Sequence, residues 1–219
     1  MEEAARWFGA APVIGFVRGL LTSIPLLAIG RLPPYAVAAL ALAMHYLGQG
    51  FMHADGFSDF SEALLASRSG ADPRSVLKDT HRGSFAVASF SVMAILLFSS
   101  SIRAVSSGFL LAFVIAEIGE VAAIAAALGL GRIEPYEGMA RAFKERTGAG
   151  TVAAIYAMSA VLIFLLGGGP MTLTVPIAAL AVGCATALAA NRVVGYVNGD
   201  ALGFAGEVAF LATLLLVRA

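Results

Sequence analysis

Long apolar runs restrict how this chain can fold more than any other feature of its sequence. They lie near residues 9–30, 34–52, 84–100, 104–130, 150–167, 171–191 and 200–217. A bilayer core about 30 Å thick needs roughly 20 apolar residues per helix. Lipid offers no hydrogen-bond partners to the backbone, so apolar runs of this length favour helices, which satisfy their own backbone groups. Charged residues make up only 13% of the chain, against about 25% in soluble domains. The sequence predicts an all-α, polytopic integral membrane helical bundle.

The apolar runs correspond to about six or seven spanning segments, and we expect residues 1–219 to form a single integral membrane domain. The first run could be broken or re-entrant, because Arg18 and Pro25 interrupt it. Glycines spaced by four residues should let helix backbones pack closely in lipid. These glycines are Gly15 and Gly19, and then Gly195, Gly199 and Gly203.

The loops predict the orientation of the bundle. Residues 65–82 and 131–147 carry four Lys or Arg each, whereas the links near 99–104 and 167–172 carry one and none. Because basic loops stay on the cytoplasmic side, we expect a multi-pass protein of the cell membrane with its active site on the cytoplasmic face. The formal net charge is zero, which gives no reason to expect a nucleic acid partner. The expected active-site loops are approximately residues 53–82, 131–148 and 191–200.

A group of carboxylates directly follows the second apolar run. In "MHADGFSDFSEALL", residues 52–65, Asp55, Asp59 and Glu62 are spaced by four and three residues. On a helix they would fall within about a 60° arc, and they would repel one another unless a cation lay between them. Mg²⁺, which binds carboxylates together with substrate phosphates, would relieve that repulsion. We call these three residues the acidic stripe and predict a metal site there, with helix capping as the structural alternative.

Two further polar groups could serve the same site. Lys78, Asp79 and Arg82 would suit a phosphate with one more carboxylate ligand, although a positive-inside helix end explains Lys78 and Arg82 better when they are taken alone. Asp200 and Glu207 are seven residues apart and share a helix face. Asp200 could simply be an N-cap, whereas Glu207 lies two turns inside an apolar run, where an acid is expected to be functional.

Three more charged residues have two open interpretations. Lys144, in the second basic loop, could receive an anionic substrate or only signal orientation. Glu117 and Glu120 lie three residues apart in an apolar run. They could serve the site or pair with Arg18 or Arg103 inside the bundle, and their spacing does not decide between these roles.

Taken in order, these segments resemble the cobalamin synthase family, the adenosylcobinamide-GDP ribazoletransferases. The resemblance runs from about residue 20 to the C-terminus and rests on "LLTSIP", "HADGFSDFSEAL", "KDTHRGSFAV", "EGMARAFK" and "NGDALGFAGEVAFLATLL". The chain departs from the family pattern at several positions. It has Ser23 and Glu120 where arginine is usual, Glu62 where aspartate is usual, and His81–Arg82 where Arg-Ile is usual.

The resemblance implies a membrane-bound, Mg²⁺-dependent transferase in the lipid bilayer. It would join a corrinoid carrying a GDP diphosphate (adenosylcobinamide-GDP) to α-ribazole or its 5′-phosphate, and release GMP. Whether the chain forms a homodimer stays open. The residues to which roles are assigned are Asp79, Asp200, Glu207 and His53 as catalytic, Asp55, Asp59, Glu62 and Asp79 as metal ligands, and Lys78, Arg82 and Lys144 as phosphate-binding.

Two other functions fit parts of the pattern. A CDP-alcohol-type phosphotransferase also places spaced aspartates at a membrane surface, but "DGFSDF" contains only the first two residues of its Asp-Gly-x-x-Ala-Arg pattern. A carboxylate-lined ion or proton transporter would explain Glu117, Glu120 and Glu207, but it accounts less well for the basic residues that accompany aspartates at one face. We therefore expect the transferase.

Overall fold

The structure, a computed structural model, describes residues 5–79, 81 and 83–216, and the regular elements within them are helices. Short 3-10 helices, Phe8–Ala10 and Ile24–Ala28, flank the first α-helix. The predicted all-α class is confirmed. The α-helices, numbered in chain order, are α1 (Ala11–Ser23), α2 (Pro34–Gly48), α3 (Met52–Arg68), α4 (Pro73–Val76), α5 (Ser84–Ser106), α6 (Ala112–Leu130), α7 (Met139–Arg146), α8 (Ala149–Leu165), α9 (Met171–Val193) and α10 (Gly199–Leu216).

Five segments of the described chain are long and apolar enough to cross a membrane, and a sixth is added if the bent pair α7 and α8 counts as one span. These segments confirm the predicted polytopic bundle. The first apolar run forms one span, in which the chain passes from α1 into a 3-10 helix at Pro25, whose ring removes a backbone donor. The five segments are Phe8–Ala28, Ser84–Ser106, Ala112–Leu130, Met171–Val193 and Gly199–Leu216.

A break in the helical path lies between α2 and α3. Helix α2 has 15 residues, about 22 Å at 1.5 Å per residue, so the predicted run 34–52 is too short to cross a bilayer as a single helix. Gly50 and Phe51 adopt left-handed conformations with φ of 58° and 61°. A right-handed helix cannot continue through two such residues, so the chain leaves α2 and restarts as α3.

Helix α5 packs against both halves of this interrupted path. In its first turn the Ala86 N–H donates to Glu62 of α3. One turn further along, the Phe90 ring lies 6.0 Å from the Tyr46 ring of α2, measured between centroids. Both halves of the path therefore pack against one continuous helix, while Gly50 and Phe51 at the break itself are exposed.

Helix α6 forms the centre of the bundle, with α1, α9 and α10 packed around it. Glycines make this packing close. A Cβ atom added at Gly19 would lie 2.4 Å from Val114 Cα, and one at Gly15 would lie 2.8 Å from the Glu117 carbonyl oxygen. The expected packing role of Gly15 and Gly19 is confirmed, because any side chain there would push α1 away from α6.

The second glycine series does not form one packing surface, and that prediction is wrong. Gly195 lies in a turn with φ of 99°, and Gly199, the first residue of α10, has open space beside it. Gly203 does pack against the backbone of α3, since a Cβ there would lie 3.1 Å from His53 Cα. The regular spacing crosses a turn, so it does not mark one helix face.

Three polar connections meet at one end of the bundle, which we call the polar end. They are the segment between α3 and α5, the segment between α6 and α8, and the link between α9 and α10. Arg74 Nε donates to the Val194 carbonyl at 2.8 Å, and the Val197 N–H donates to the Arg132 carbonyl at 3.0 Å. The end of α3 and the first turn of α10 therefore lie beside one basic surface, which includes the exposed Arg74 and Arg132.

Candidate functional site

The acidic stripe lies on a single helix, as its spacing requires. Helix α3 contains Asp55, Asp59 and Glu62, so the assumption of helical structure is confirmed. Asp55 is exposed and Asp59 is half-buried. Both take part in polar contacts. Since residues four apart on a helix lie on the same side, two carboxylates are presented together near the polar end.

Glu62 has a role that its sequence position did not reveal. Its Oε2 accepts a hydrogen bond from the Ala86 N–H at 2.5 Å, and a Cβ added at Gly83 would lie 2.1 Å from its Oε1. The carboxylate therefore lies at the N-terminus of α5, where unpaired N–H groups and the helix dipole favour negative charge. One oxygen of Glu62 joins α3 to α5.

Asp200 lies against the same helix from the other side. A Cβ at Gly56 would be 3.0 Å from Asp200 Cα, so the first turn of α10 touches α3 one residue beyond Asp55. The N-cap interaction belongs to Asn198, whose Oδ1 accepts from the Ala201 N–H at 3.1 Å. Asn198 also donates from Nδ2 to Asp200 Oδ2 at 2.7 Å. Asn198 thus positions the half-buried carboxylate of Asp200 and supplies an N-cap hydrogen bond of the helix.

Two predicted site residues after α4 are open to solvent. Lys78 and Asp79 are exposed. Asp79 accepts hydrogen bonds from the backbone N–H of His81 and from its Nδ1, both at 2.9 Å, and these bonds lower the pKa of the Asp79 carboxyl. Arg82, predicted to bind phosphate, lies outside the described residues.

Lys144 caps helix α6. Its Nζ donates to the carbonyl oxygens of Leu128 and Gly129 at 2.6 and 2.9 Å, where the end of a helix favours a cation. Burial lowers the pKa of its ammonium group. Because the contact is made to backbone carbonyl oxygens, the spacing of charges gave no indication of it.

The remaining predicted residues belong to a group of polar side chains in the centre of the bundle, which we call the buried cluster. It consists of Arg18, His45, Gln49, His53, Glu117, Glu120 and Glu207. The open question about Glu117 and Glu120 is answered, because Arg18 Nη2 lies 2.5 Å from Glu117 Oε2 and 3.0 Å from Glu120 Oε2. Arg103 instead donates to the Leu214 carbonyl.

Histidines connect the carboxylates of the buried cluster. His45 Nδ1 lies 2.7 Å from Glu117 Oε1, and His53 Nδ1 hydrogen-bonds to Glu120. The His53 side chain, 21% exposed, points away from the acidic stripe toward the core. Sequence analysis missed His45, since a single histidine in an apolar run carries no spacing signal.

Glu207 lies deep in the bundle, apart from Asp200. Seven residues of helix correspond to about 10 Å along the axis, and the side chain of Glu207 is completely buried. Its Oε1 lies 3.4 Å from His45 Nε2. The shared helix face is therefore real, but the structure brings Glu207 to the buried cluster and leaves Asp200 near the acidic stripe.

Comparison with known proteins identifies a family. The family model described as cobalamin-5-phosphate synthase matches residues 1–218. A Clostridium perfringens (strain 13) protein named adenosylcobinamide-GDP ribazoletransferase is 28% identical over 202 residues, which cover 88% of this chain and 79% of the relative. A protein of the same name from Methanocella arvoryzae is 29% identical over 203 residues, covering 84% and 74%.

Shorter matches have higher identity. A third protein of that name, from Clostridium perfringens (strain SM101), is 36% identical over 90 residues, which cover 40% of this chain and 36% of the relative. No solved structure matches the chain significantly. Because the family model extends over residues 1–218, this chain belongs to the cobalamin-5-phosphate synthase family.

Proposed function

We propose that this chain joins adenosylcobinamide-GDP to α-ribazole or α-ribazole 5′-phosphate and releases GMP. The match of the family model to residues 1–218 carries this proposal, and long relatives named adenosylcobinamide-GDP ribazoletransferase support it. The exposed carboxylates beside a basic surface also suit a diphosphate substrate. We assign the reaction to the cytoplasmic face of the cell membrane, because the basic connections collect at the polar end.

The acidic stripe fits Mg²⁺ by its donor chemistry. Asp55 and Asp59 offer carboxylate oxygens that water and substrate phosphates can reach. Glu62 has one oxygen engaged by α5, so we assign it to the edge of the site, and Asp79 would complete the ligand set. When bound, the ion would neutralise the diphosphate and the charge that develops on the leaving GMP.

The proposed reaction is a substitution at the phosphorus nearer the corrinoid. A ribose hydroxyl oxygen of α-ribazole bonds to that phosphorus, the bond from the phosphorus to the oxygen shared with GMP breaks, and GMP leaves with the electron pair. The hydroxyl proton passes to a carboxylate. Asp200 is our candidate for orienting the hydroxyl and accepting this proton. Asn198 holds its side chain by a hydrogen bond, and its backbone lies against Gly56, the residue after Asp55.

The basic residues divide by their contacts. Lys78 is exposed at the polar end, and we assign phosphate binding to it and to Arg82, since ammonium and guanidinium groups bind phosphate oxygens. Lys144 is engaged with the end of α6, and His53 with Glu120. We therefore assign these two residues to supporting the site and not to contact with substrate.

An assay of purified protein tests the proposal. Protein in detergent or liposomes would receive adenosylcobinamide-GDP and α-ribazole 5′-phosphate, with and without Mg²⁺, and GMP and corrinoid product would be measured. We expect metal-dependent product from the wild-type chain, a loss of at least about 100-fold in Asp59→Asn, and normal activity in Glu145→Gln, an exposed carboxylate paired with Arg141. Product that persists undiminished in Asp59→Asn would remove the acidic stripe from the mechanism. A folded wild-type chain without product would contradict the transferase and direct attention to CDP-alcohol substrates.

A further inference from the structure

The buried cluster brings three carboxylates together around one arginine. Glu117, Glu120 and Glu207 are each completely buried. Among the described residues, Arg18 is the arginine or lysine whose ion pairs reach them, at Glu117 and Glu120. Unbalanced charge inside a membrane bundle is expensive, so carboxylates at such depth are paired or bind a cation.

Glu207 shows most directly that a partner is needed. Within the described part of the chain, neither of its carboxylate oxygens accepts a hydrogen bond. The side chain nevertheless points into the cluster, with Oε1 3.4 Å from His45 Nε2. A buried carboxylate without hydrogen bonds costs several kcal/mol unless a cation lies beside it.

The donor atoms nearby are arranged closely enough for one ion. One ligand atom each from His45, Glu117 and Glu120 lie within 4.8 Å of one another. Atoms bound to a metal at about 2.0–2.2 Å lie roughly 3–4 Å apart, so small side-chain rotations would complete a coordination shell. We propose that the buried cluster binds a divalent transition-metal ion of the zinc class, with His45, Glu117 and Glu120 as ligands and Glu207 as a fourth.

The surroundings of these ligands resemble those of built metal sites. Thr22 Oγ1 donates to Glu117 Oε1 at 2.9 Å, and Gln49 Nε2 donates to Glu120 at 3.2 Å. The His45 ring stacks on Phe210 with centroids 3.8 Å apart, which fixes the plane of its nitrogen donors. Hydrogen bonds and packing of this kind orient metal ligands.

The ligand set also selects the type of ion. An imidazole nitrogen with carboxylate oxygens suits Zn²⁺ and similar transition metals, whereas Mg²⁺ prefers oxygen ligands and keeps several waters. The four proposed ligands are each completely buried, which leaves little space for such waters. This site is therefore distinct in place and in chemistry from the acidic stripe, where we propose Mg²⁺.

Metal content measures the proposal independently of catalysis. Full-length protein in detergent would be stripped with a chelator, incubated with Zn²⁺, desalted and analysed by mass spectrometry for bound metal. We expect about one zinc per chain in the wild type and in Asp59→Asn, but at least tenfold weaker zinc binding in Glu207→Gln. Glu207→Gln keeps the side-chain shape and removes no hydrogen bond, so it is the variant most expected to fold.

Several outcomes would overturn the proposal. The first is that wild-type protein holds no zinc. The second is that wild type and Glu207→Gln hold equal amounts of zinc. The third is that Asp59→Asn loses zinc while Glu207→Gln keeps it. X-ray absorption of zinc-loaded wild type needs no variant and should show one imidazole nitrogen with carboxylate oxygens at about 2.0–2.2 Å. A shell of oxygen ligands alone would also overturn the assignment. A failed transferase assay leaves each of these readouts unchanged.

Discussion

Replacing Arg18 with methionine should destabilise the protein more than any surface substitution. The guanidinium lies 2.5 Å from Glu117 and 3.0 Å from Glu120, with side-chain exposures of 17% for the arginine and 0% for both glutamates. Each pair, with charge centres about 4 Å apart, attracts by roughly 4 kcal/mol at an effective dielectric constant of 20. Desolvation of the arginine offsets part of this attraction, and breaking a buried pair costs about 3–5 kcal/mol. We expect Arg18→Met to lower the free energy of unfolding by about 4 kcal/mol.

For a chain of this size that loss corresponds to a fall of about 8–16 °C in the unfolding temperature. The single cysteine, Cys184, lies half-buried on α9, so a thiol-reactive dye can follow thermal unfolding in detergent with chelator present. Arg103→Met is the matched control and should cost less than half as much, because Arg103 donates to a backbone carbonyl. The double variant Arg18→Met, Glu120→Gln should recover part of the loss. An Arg18→Met chain that unfolds within 2 °C of wild type, or an equal loss in Arg103→Met, would refute the ion-pair account.

Two further predictions concern packing and pH. Gly19→Ala would place a Cβ 2.4 Å from Val114 Cα and should lower the free energy of unfolding by about 1–3 kcal/mol. In the same dye assay Gly48→Ala, with open space around it, should be neutral or slightly stabilising. Equal effects of the two substitutions would contradict the packing argument. Burial and the Tyr136 hydroxyl raise the pKa of Tyr196 from 10.0 to about 12, so the unfolded chain loses this proton first and stability should fall as pH rises from about 10 to 12. Denaturant titrations across this pH range should show that the free energy of unfolding of Tyr196→Phe falls less with pH than that of the wild type. Parallel pH dependences in the two proteins would disprove the raised pKa of Tyr196.

The sequence predicted the elements that rest on local pattern. Apolar runs identified the spanning helices, and the four- and three-residue spacing of Asp55, Asp59 and Glu62 required a helix, which α3 provides. The break after α2 had a weaker signal in the glycines at positions 48 and 50, but the surrounding apolar residues suggested a continuous run. Phe51 has a positive φ that is uncommon for a non-glycine residue, so its backbone conformation was not predicted; its N–H donates to the Tyr46 carbonyl at 2.9 Å.

The contacts that sequence could not predict join distant positions or use backbone atoms. His45 and Glu117 are 72 residues apart, and either residue alone looks like an isolated polar group in an apolar run. Glu62 and Lys144 bond to backbone groups at helix ends, and a backbone donor or acceptor leaves no mark on composition or spacing. Side-chain charge therefore indicated where polar chemistry collects, but it did not separate residues that hold helices together from residues available to substrate.

The most direct test of the proposed reaction follows one phosphorus atom. Adenosylcobinamide-GDP labelled with ³²P at the phosphorus nearer the corrinoid would be incubated with purified wild-type protein, Mg²⁺ and α-ribazole 5′-phosphate, and the products separated. Attack by the ribose hydroxyl at that phosphorus predicts that the label stays with the corrinoid product and that the released GMP is unlabelled. Label in GMP, or retention of the whole labelled diphosphate in the product, would contradict the substitution that we propose for this chain.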